Sequence, residues 1–255
     1  MEWSADKINE TVNSLCIDYD KAEILSNNKD KIIARYKTSN AETIIIKLWS
    51  RQHLGGKFRR LIGSSLAENE WNALNHAKSL NINVPKAFGW CQLVNQPKNF
   101  TEALIIEDLG DCRIADEYIK HCFSENAIDD LIAFERSVIE MTAKMVEGKL
   151  LDVDHSLINI VMSNDNTPYR IDFELAKSVN TFNWHFYSYG KMLGRLLATY
   201  SFAVQPQTYR VPEFFEQLCK DISVPSLTIW VAKRHFNEFM DKQEAQYNIK
   251  SEIRL

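Results

Sequence analysis

The chain is 255 residues long, 45% hydrophobic and 25% charged, with a net charge of −4. That length suffices for one large core or for two lobes, the mixture is that of an ordinary soluble globular protein, and the slightly acidic balance carries no basic signature for nucleic acid. Five scattered cysteines (Cys16, Cys91, Cys112, Cys122, Cys219) without a Cys-x-x-Cys pair argue against a zinc site or a disulfide framework, and for incidental thiols in a reducing compartment. The start, Met-Glu-Trp-Ser-Ala-Asp-Lys, has no apolar stretch behind a basic one, so no signal peptide is expected. No run approaches the roughly 18 apolar residues of a membrane span, so a cytoplasmic protein is expected. Neither an internal repeat nor a low-complexity segment is present.

Residues 21–49 read as strands. Lys31–Tyr36 and Thr43–Leu48 are β-rich runs on either side of the turn signal Thr38-Ser39-Asn40. Lys47 closes the second run. A lysine at a strand end is ordinarily solvated; the functional reading is a contact to nucleotide phosphates. Arg51, Lys57, Arg59 and Arg60 then form a basic cluster around Gly55-Gly56. A solvated loop and a surface for an anionic substrate or membrane stand level as readings of it. A helix follows, capped by Ser64-Ser65, with Glu68 placed for a capping box. Leu66, Trp71, Leu74 and Ala77 recur at near-helical spacing, and the helix should stop near Asn81. Glu68 is expected at the cap, which leaves Glu70 as the better partner for Lys47. Ordinary surface acids are the plainer alternative.

Ala87–Val94 and Ala103–Glu107 read as two further strands, and Glu107-Asp108-Leu109-Gly110-Asp111 as an acidic connector. Ile128–Leu151 has the broad apolar stripe of a buried helix, Ile132 included. Trp184–Tyr200 reads as another apolar helix, and Val211–Gln246 as two or three more. Strands, one helix, two strands and then mostly helices predict an α+β chain with a sheet-rich lobe over 1–107 and a larger helical lobe over 108–255.

The stretch Leu150–Lys177 carries the chemistry. Asp154 and Asn159 lie five positions apart, the separation of an acid that accepts a hydroxyl proton and an amide that holds magnesium in phosphoryl transfer. Ile160–Met162 and Tyr169–Ile171 flank a polar turn, and Asp172-Phe173 follows as a second metal-binding acid. Asp154 and Asn159 alone would be loop punctuation; the hairpin and the Asp-Phe pair tip the balance. His155 is a competing base, read instead as a loop residue turned toward the helices. Asp152 is either a third acid near the metal or a hydrogen-bonding anchor for the loop.

Together Lys47, Glu70, Glu107, Asp154, Asn159 and Asp172 resemble the protein-kinase-like fold over roughly residues 32–200. Lys47-Leu48-Trp49-Ser50-Arg51, Phe58-Arg59-Arg60-Leu61, Ala67–Leu74 and Ile82–Gly89 resemble the bacterial lipopolysaccharide kinase family, which contains Kdo kinases and heptose kinases. The resemblance implies a two-lobed fold and ATP- and Mg2+-dependent phosphorylation of an inner-core sugar. It implies backbone contacts to adenine at Glu107 and Leu109, and a glycolipid or sugar substrate. Peripheral contact with the inner face of the cytoplasmic membrane through Arg51, Lys57, Arg59 and Arg60 goes with it. Three departures stand out: Asp152 where a His is usual, Glu174 after Asp172-Phe173, and no Gly-x-Gly-x-x-Gly, the one candidate turn being Asn27–Asp30. The rivals are a kinase of another small molecule or of protein, and a nucleotide-binding pseudokinase; the complete Lys, Asp, Asn, Asp set argues against the last.

Overall fold

The computed structural model describes residues 3–17, 22–28, 30–38, 41–50, 65–93, 100–179, 185–222, 224–247 and 255, without the side chains of 15–17 and 243–247. The basic cluster Arg51, Lys57, Arg59 and Arg60 lies outside the described residues, as do Ser64 and Lys29 of the candidate 27–30 turn. The chain divides into two compact units: Met1–Asn75 with Pro85–Gly110, and His76–Val84 with Asp111–Leu255.

The first unit is a five-stranded antiparallel sheet of β1 (Ala22–Asn28), β2 (Lys31–Lys37), β3 (Thr43–Ser50), β4 (Ala87–Gln92) and β5 (Phe100–Glu107), in the order β1-β2-β3-β5-β4. Pleat alternation sorts β3 into two faces. Ile44, Ile46 and Leu48 join the cluster of Ile32, Ala34, Ala103 and Ile105 beneath Ile8 and Val12 of α1 (Ala5–Ile17). Lys47, paired with Ile33 on one side and Leu104 on the other, therefore projects from the opposite face in the middle of the sheet. The helix α1 was not anticipated from the sequence. Cys91 sits in this core, and burial pushes its thiol up to about 11. The helix α2 (Leu66–Ser79) begins in this unit; Leu80 and Asn81 close it, Asn81 at φ 55.

The second unit contains α3 (Ala115–Ser124), α4 (Ile128–Glu147), α5 (Phe186–Ala203), α6 (Arg210–Asp221) and α7 (Ser226–Tyr247). It also holds two small antiparallel sheets: β6 (Arg113–Ile114) with β8 (Ile160–Met162) and β9 (Pro168–Arg170), and β7 (Leu150–Asp152) with β10 (Ala176–Ser178). Two expectations are corrected. The helical pattern does not run to Leu151: α4 ends at Glu147, Lys149 takes φ 57, and Leu150–Asp152 pairs with β10 as a strand. A short apolar run fits either element, and the left-handed residue decides it. Ile132, assigned to the buried stripe, is 41% exposed. On the buried side Glu135 accepts hydrogen bonds from Tyr200 and from Arg210 Nε and Nη2, tying α4, α5 and α6 together.

The helices α5 and α7 approach closely at two glycines. A Cβ on Gly190 would stand 2.5 Å from Val231 Cβ, and one on Gly194 would stand 2.7 Å from the Ala232 carbonyl oxygen. No described helix is long and apolar enough to cross a membrane. Because the Gly194 neighbour is backbone and cannot rotate away, Gly194→Ala should lower unfolding free energy by about 1–3 kcal/mol. Urea titration of the two proteins checks it.

Candidate active site

In the first unit the sheet presents Lys47 to α2. Lys47 is 4% exposed and Glu70 fully buried, and Lys47 Nζ lies 2.5 Å from Glu70 Oε1. The acid on Lys47 is thus Glu70, as expected over Glu68. What fixes α2 there is Glu102 of β5, which sequence reasoning missed. Its Oε2 accepts from Ser65 Oγ at 3.0 Å and from the backbone N–H groups of Leu66 and Ala67 at 2.8 and 3.2 Å. Ser65 Oγ in turn accepts from the Glu68 N–H at 3.1 Å. One arm of the expected capping box is present, and the carboxylate at the helix start is supplied by Glu102, where the helix dipole favours negative charge.

The connector is also held from the sheet. Glu107 closes β5, its N–H donating to the Lys86 carbonyl at 2.9 Å and its Oε2 accepting from the Lys86 N–H at 3.0 Å. Arg35 of β2 pairs with Asp108 at 3.0 Å through Nε and donates to the Gly110 carbonyl at 3.0 Å through Nη2. Leu109 lies between these two anchors.

In the second unit Asp154 and Asn159 occupy the loop between β7 and β8. Asn159 ends a single 3-10 turn, Leu157–Asn159, and its Nδ2 donates to the Asp154 carbonyl at 3.0 Å and to Asp154 Oδ2 at 3.2 Å. The Ile171 N–H donates to the Asn159 carbonyl at 2.9 Å, which brings Asp172 alongside. Asp172 adopts φ 59, a left-handed conformation that an L residue holds at some cost and that clusters where a side chain must be aimed.

Beneath the loop is Arg170, fully buried. Its Nη2 bonds Asp152 Oδ2, Nη1 donates to the Asn159 carbonyl at 3.0 Å, and Nε donates to His155 Nδ1 at 3.3 Å. Asp152 Oδ1 accepts from the Asp154 N–H at 3.0 Å. Of the two readings of Asp152, the hydrogen-bonding anchor is the one the geometry favours. Burial pushes its carboxyl upward, against the pull of Arg170 and the Asp154 amide. His155 is likewise fully buried. Its Nδ1 accepts from Arg170, so Nε2 carries the proton and faces Thr142 Oγ1 at 3.0 Å. Thr142 passes its own hydroxyl hydrogen to the Val138 carbonyl at 2.7 Å. The ring is turned toward α4, and burial together with Arg170 holds its pKa well below the ordinary histidine value.

A second arginine was not anticipated. Arg195 of α5 places Nη2 3.2 Å from Asp154 Oδ1, with side-chain exposures of 30% and 39%. One turn on, Thr199 Oγ1 accepts the Leu157 N–H at 3.1 Å. Two polar residues four apart on one helix face would have been the only signal.

The donor chemistry fits magnesium. An amide oxygen and a carboxylate are hard oxygen ligands, and Mg2+ takes few of these, filling its remaining positions with phosphate and water. Among the described residues no three of His, Cys, Asp or Glu gather as a metal cage.

No protein-family model matches the chain, and no curated protein matches it by sequence. Among solved structures the fold is similar to that of WaaP in complex with acyl carrier protein, with a TM-score of 0.63 at 13% identity over 94% of this chain and 98% of that one. The fold is kinase-like and two-lobed, with a small antiparallel-sheet N-terminal lobe and a helical C-terminal part.

His155 yields a pH prediction. Unfolded, it takes up a proton as pH falls through about 6.5; folded, burial and Arg170 delay that uptake to lower pH. The unfolded state then binds more protons, so stability declines on acidification below that point. On acidification below pH 6.5 the wild type should lose more stability than His155→Gln does, measured by urea unfolding at each pH.

Proposed function

We propose that the chain is an ATP- and Mg2+-dependent kinase that phosphorylates a sugar hydroxyl of the lipopolysaccharide inner core, Kdo or heptose. The coarser part, a kinase of the lipopolysaccharide core, draws fold-level support from the likeness to WaaP. The observation that carries the reading is the loop in which Asn159 holds Asp154 while the Ile171–Asn159 bond delivers Asp172.

In this reading Asp154 orients the acceptor hydroxyl and takes its proton as the oxygen bonds to the γ-phosphorus. The bond from that phosphorus to the bridging oxygen breaks, and ADP leaves. Asn159 and Asp172 would hold magnesium, which when bound neutralises charge on the phosphates. Lys47, kept in place by Glu70, would contact the nucleotide phosphates, and the backbone at Glu107 and Leu109 would read adenine. Positioning and charge account for the rate, since phosphoryl transfer asks little covalent chemistry of the protein. His155 is not the base, because both ring nitrogens are engaged away from any acceptor. The protein would work in the cytoplasm at the inner face of the membrane, where its glycolipid substrate is displayed, with Arg51, Lys57, Arg59 and Arg60 as the contact.

Calorimetry with ATP, with and without magnesium, and phosphate transfer to Kdo- and heptose-terminated acceptors test the reading. Asp154→Asn should lower kcat by about 10²–10⁴-fold and leave nucleotide affinity nearly intact. Asp172→Asn should weaken magnesium-dependent ATP binding as well. Absence of magnesium-dependent binding at millimolar ATP would remove the enzyme and the nucleotide-binding pseudokinase together. Undiminished transfer by Asp154→Asn would remove the assignment of the loop.

A further inference from the structure

Each oxygen of Asp154 already carries one contact in a side chain that is 39% exposed. Oδ2 accepts from Asn159, and Oδ1 is held by Arg195. The two contacts differ in kind. Asn159 is 8% exposed and anchored within the loop. The Arg195 pair is partly solvated, and pairs of that kind contribute little by themselves.

Arg195 is also underused. The guanidinium edge that grips a carboxylate or phosphate carries both Nε and Nη2. Only Nη2 reaches Asp154, while Nε is buried without a partner in the described structure. The group lies over Phe239, 5.0 Å from the ring centroid, so its plane is set by packing. One turn earlier on α5 stands Lys191, itself over Tyr187. Burial, with Lys191, Lys242 and Arg195 behind it, holds the pKa of His235 of α7 down. The acid that opposes them there, Glu238, is bonded by Arg234 at 2.7 Å. Lys191 and Arg195 thus stand one turn apart on α5, the second of them at the candidate base.

We propose that Arg195, flanked by Lys191, seats an anionic group of the acceptor, a phosphate or a carboxylate, and that its arrival draws Arg195 away from Asp154. The exchange trades a single-point contact for a two-point one and takes the competing cation off Oδ1, leaving that oxygen to the hydroxyl proton. A neutral acceptor cannot drive it, so the same arginine screens substrates by charge. The acceptor role rests on the reading of Asp154 as the base.

Inorganic sulfate is the probe. In nucleotide-free, full-length protein at constant ionic strength, the 15Nε–1H resonance of Arg195, assigned by its loss in Arg195→Gln, should shift saturably with sulfate. Lys191→Gln should weaken that titration several-fold. In transfer assays sulfate should compete with the acceptor and not with ATP. Arg195→Gln should raise KM about tenfold for a carboxylate-bearing acceptor, and far less for its methyl ester, with Arg195→Lys intermediate. A resonance indifferent to sulfate overturns the inference, as does an equal KM change for acid and ester. Sulfate competing with ATP would assign Arg195 to the nucleotide and overturn it too. Wild-type binding of magnesium nucleotide separates the two failures. Without it the kinase reading falls and the acceptor role falls with it. With it, and with transfer, an unresponsive Arg195 removes this inference alone.

Discussion

Burying the Arg170 guanidinium with no exposed surface is the constraint on which the loop depends. Taking such a charge out of water costs several kcal/mol unless its donors are met. Here Asp152, the Asn159 carbonyl and His155 Nδ1 meet them. Asp152 ends the strand that leads into the loop and the other two partners lie on the loop itself, so satisfying one side chain fixes three points along it. Asp152 then reaches on to the Asp154 N–H, and His155 to Thr142 of α4. A well-packed apolar cluster could supply as much stability, but it would not specify where Asp154 points. The charge serves placement, and removing either partner of the Asp152–Arg170 pair strands the other, a loss of about 3–5 kcal/mol.

The sheet unit uses the same device differently. Glu102 spends its carboxylate on the first turn of α2, and that turn sets the axial position of Glu70 one turn later. The strand carrying Glu102 is the one paired with β3, where Lys47 resides. Lysine and glutamate are therefore referenced to the same pair of strands, one directly and one through a helix start.

Local pattern carried much of this and long-range pairing carried the rest. The β2–β3 hairpin, the helix over residues 66–79 and the Asp154–Asn159 spacing are properties of neighbouring residues, and periodicity exposes them. The choice of Glu70 over Glu68 followed from which acid sits near the cap. Arg170 was not legible: in Tyr169-Arg170-Ile171 a charged residue at an alternating position reads as the solvent side of a strand, yet it is fully buried. Its chief partner, Asp152, lies on a different strand eighteen positions away in the chain. Glu102 and Arg195 fail to announce themselves for the same reason. Ile132 is the converse, an apolar residue in phase with the stripe that nonetheless faces water. α3 was not read from the sequence: it is ten residues long, against 20 and 18 for the uncapped helices α4 and α5 whose longer apolar stripes were legible.

The loop carries two Arg–Asp pairs that differ in burial. Asp152–Arg170 has no exposed surface, while Arg195–Asp154 is 30% and 39% exposed. Dissolved ions screen exposed charges over a Debye length of about 8 Å at physiological strength and reach buried ones hardly at all. Ionic strength therefore acts on one pair and spares the other. Rising salt would loosen the guanidinium over Asp154 while the frame that positions Asp154 keeps its shape, so electrolyte alone could vary the availability of this carboxylate without disturbing the backbone that carries it.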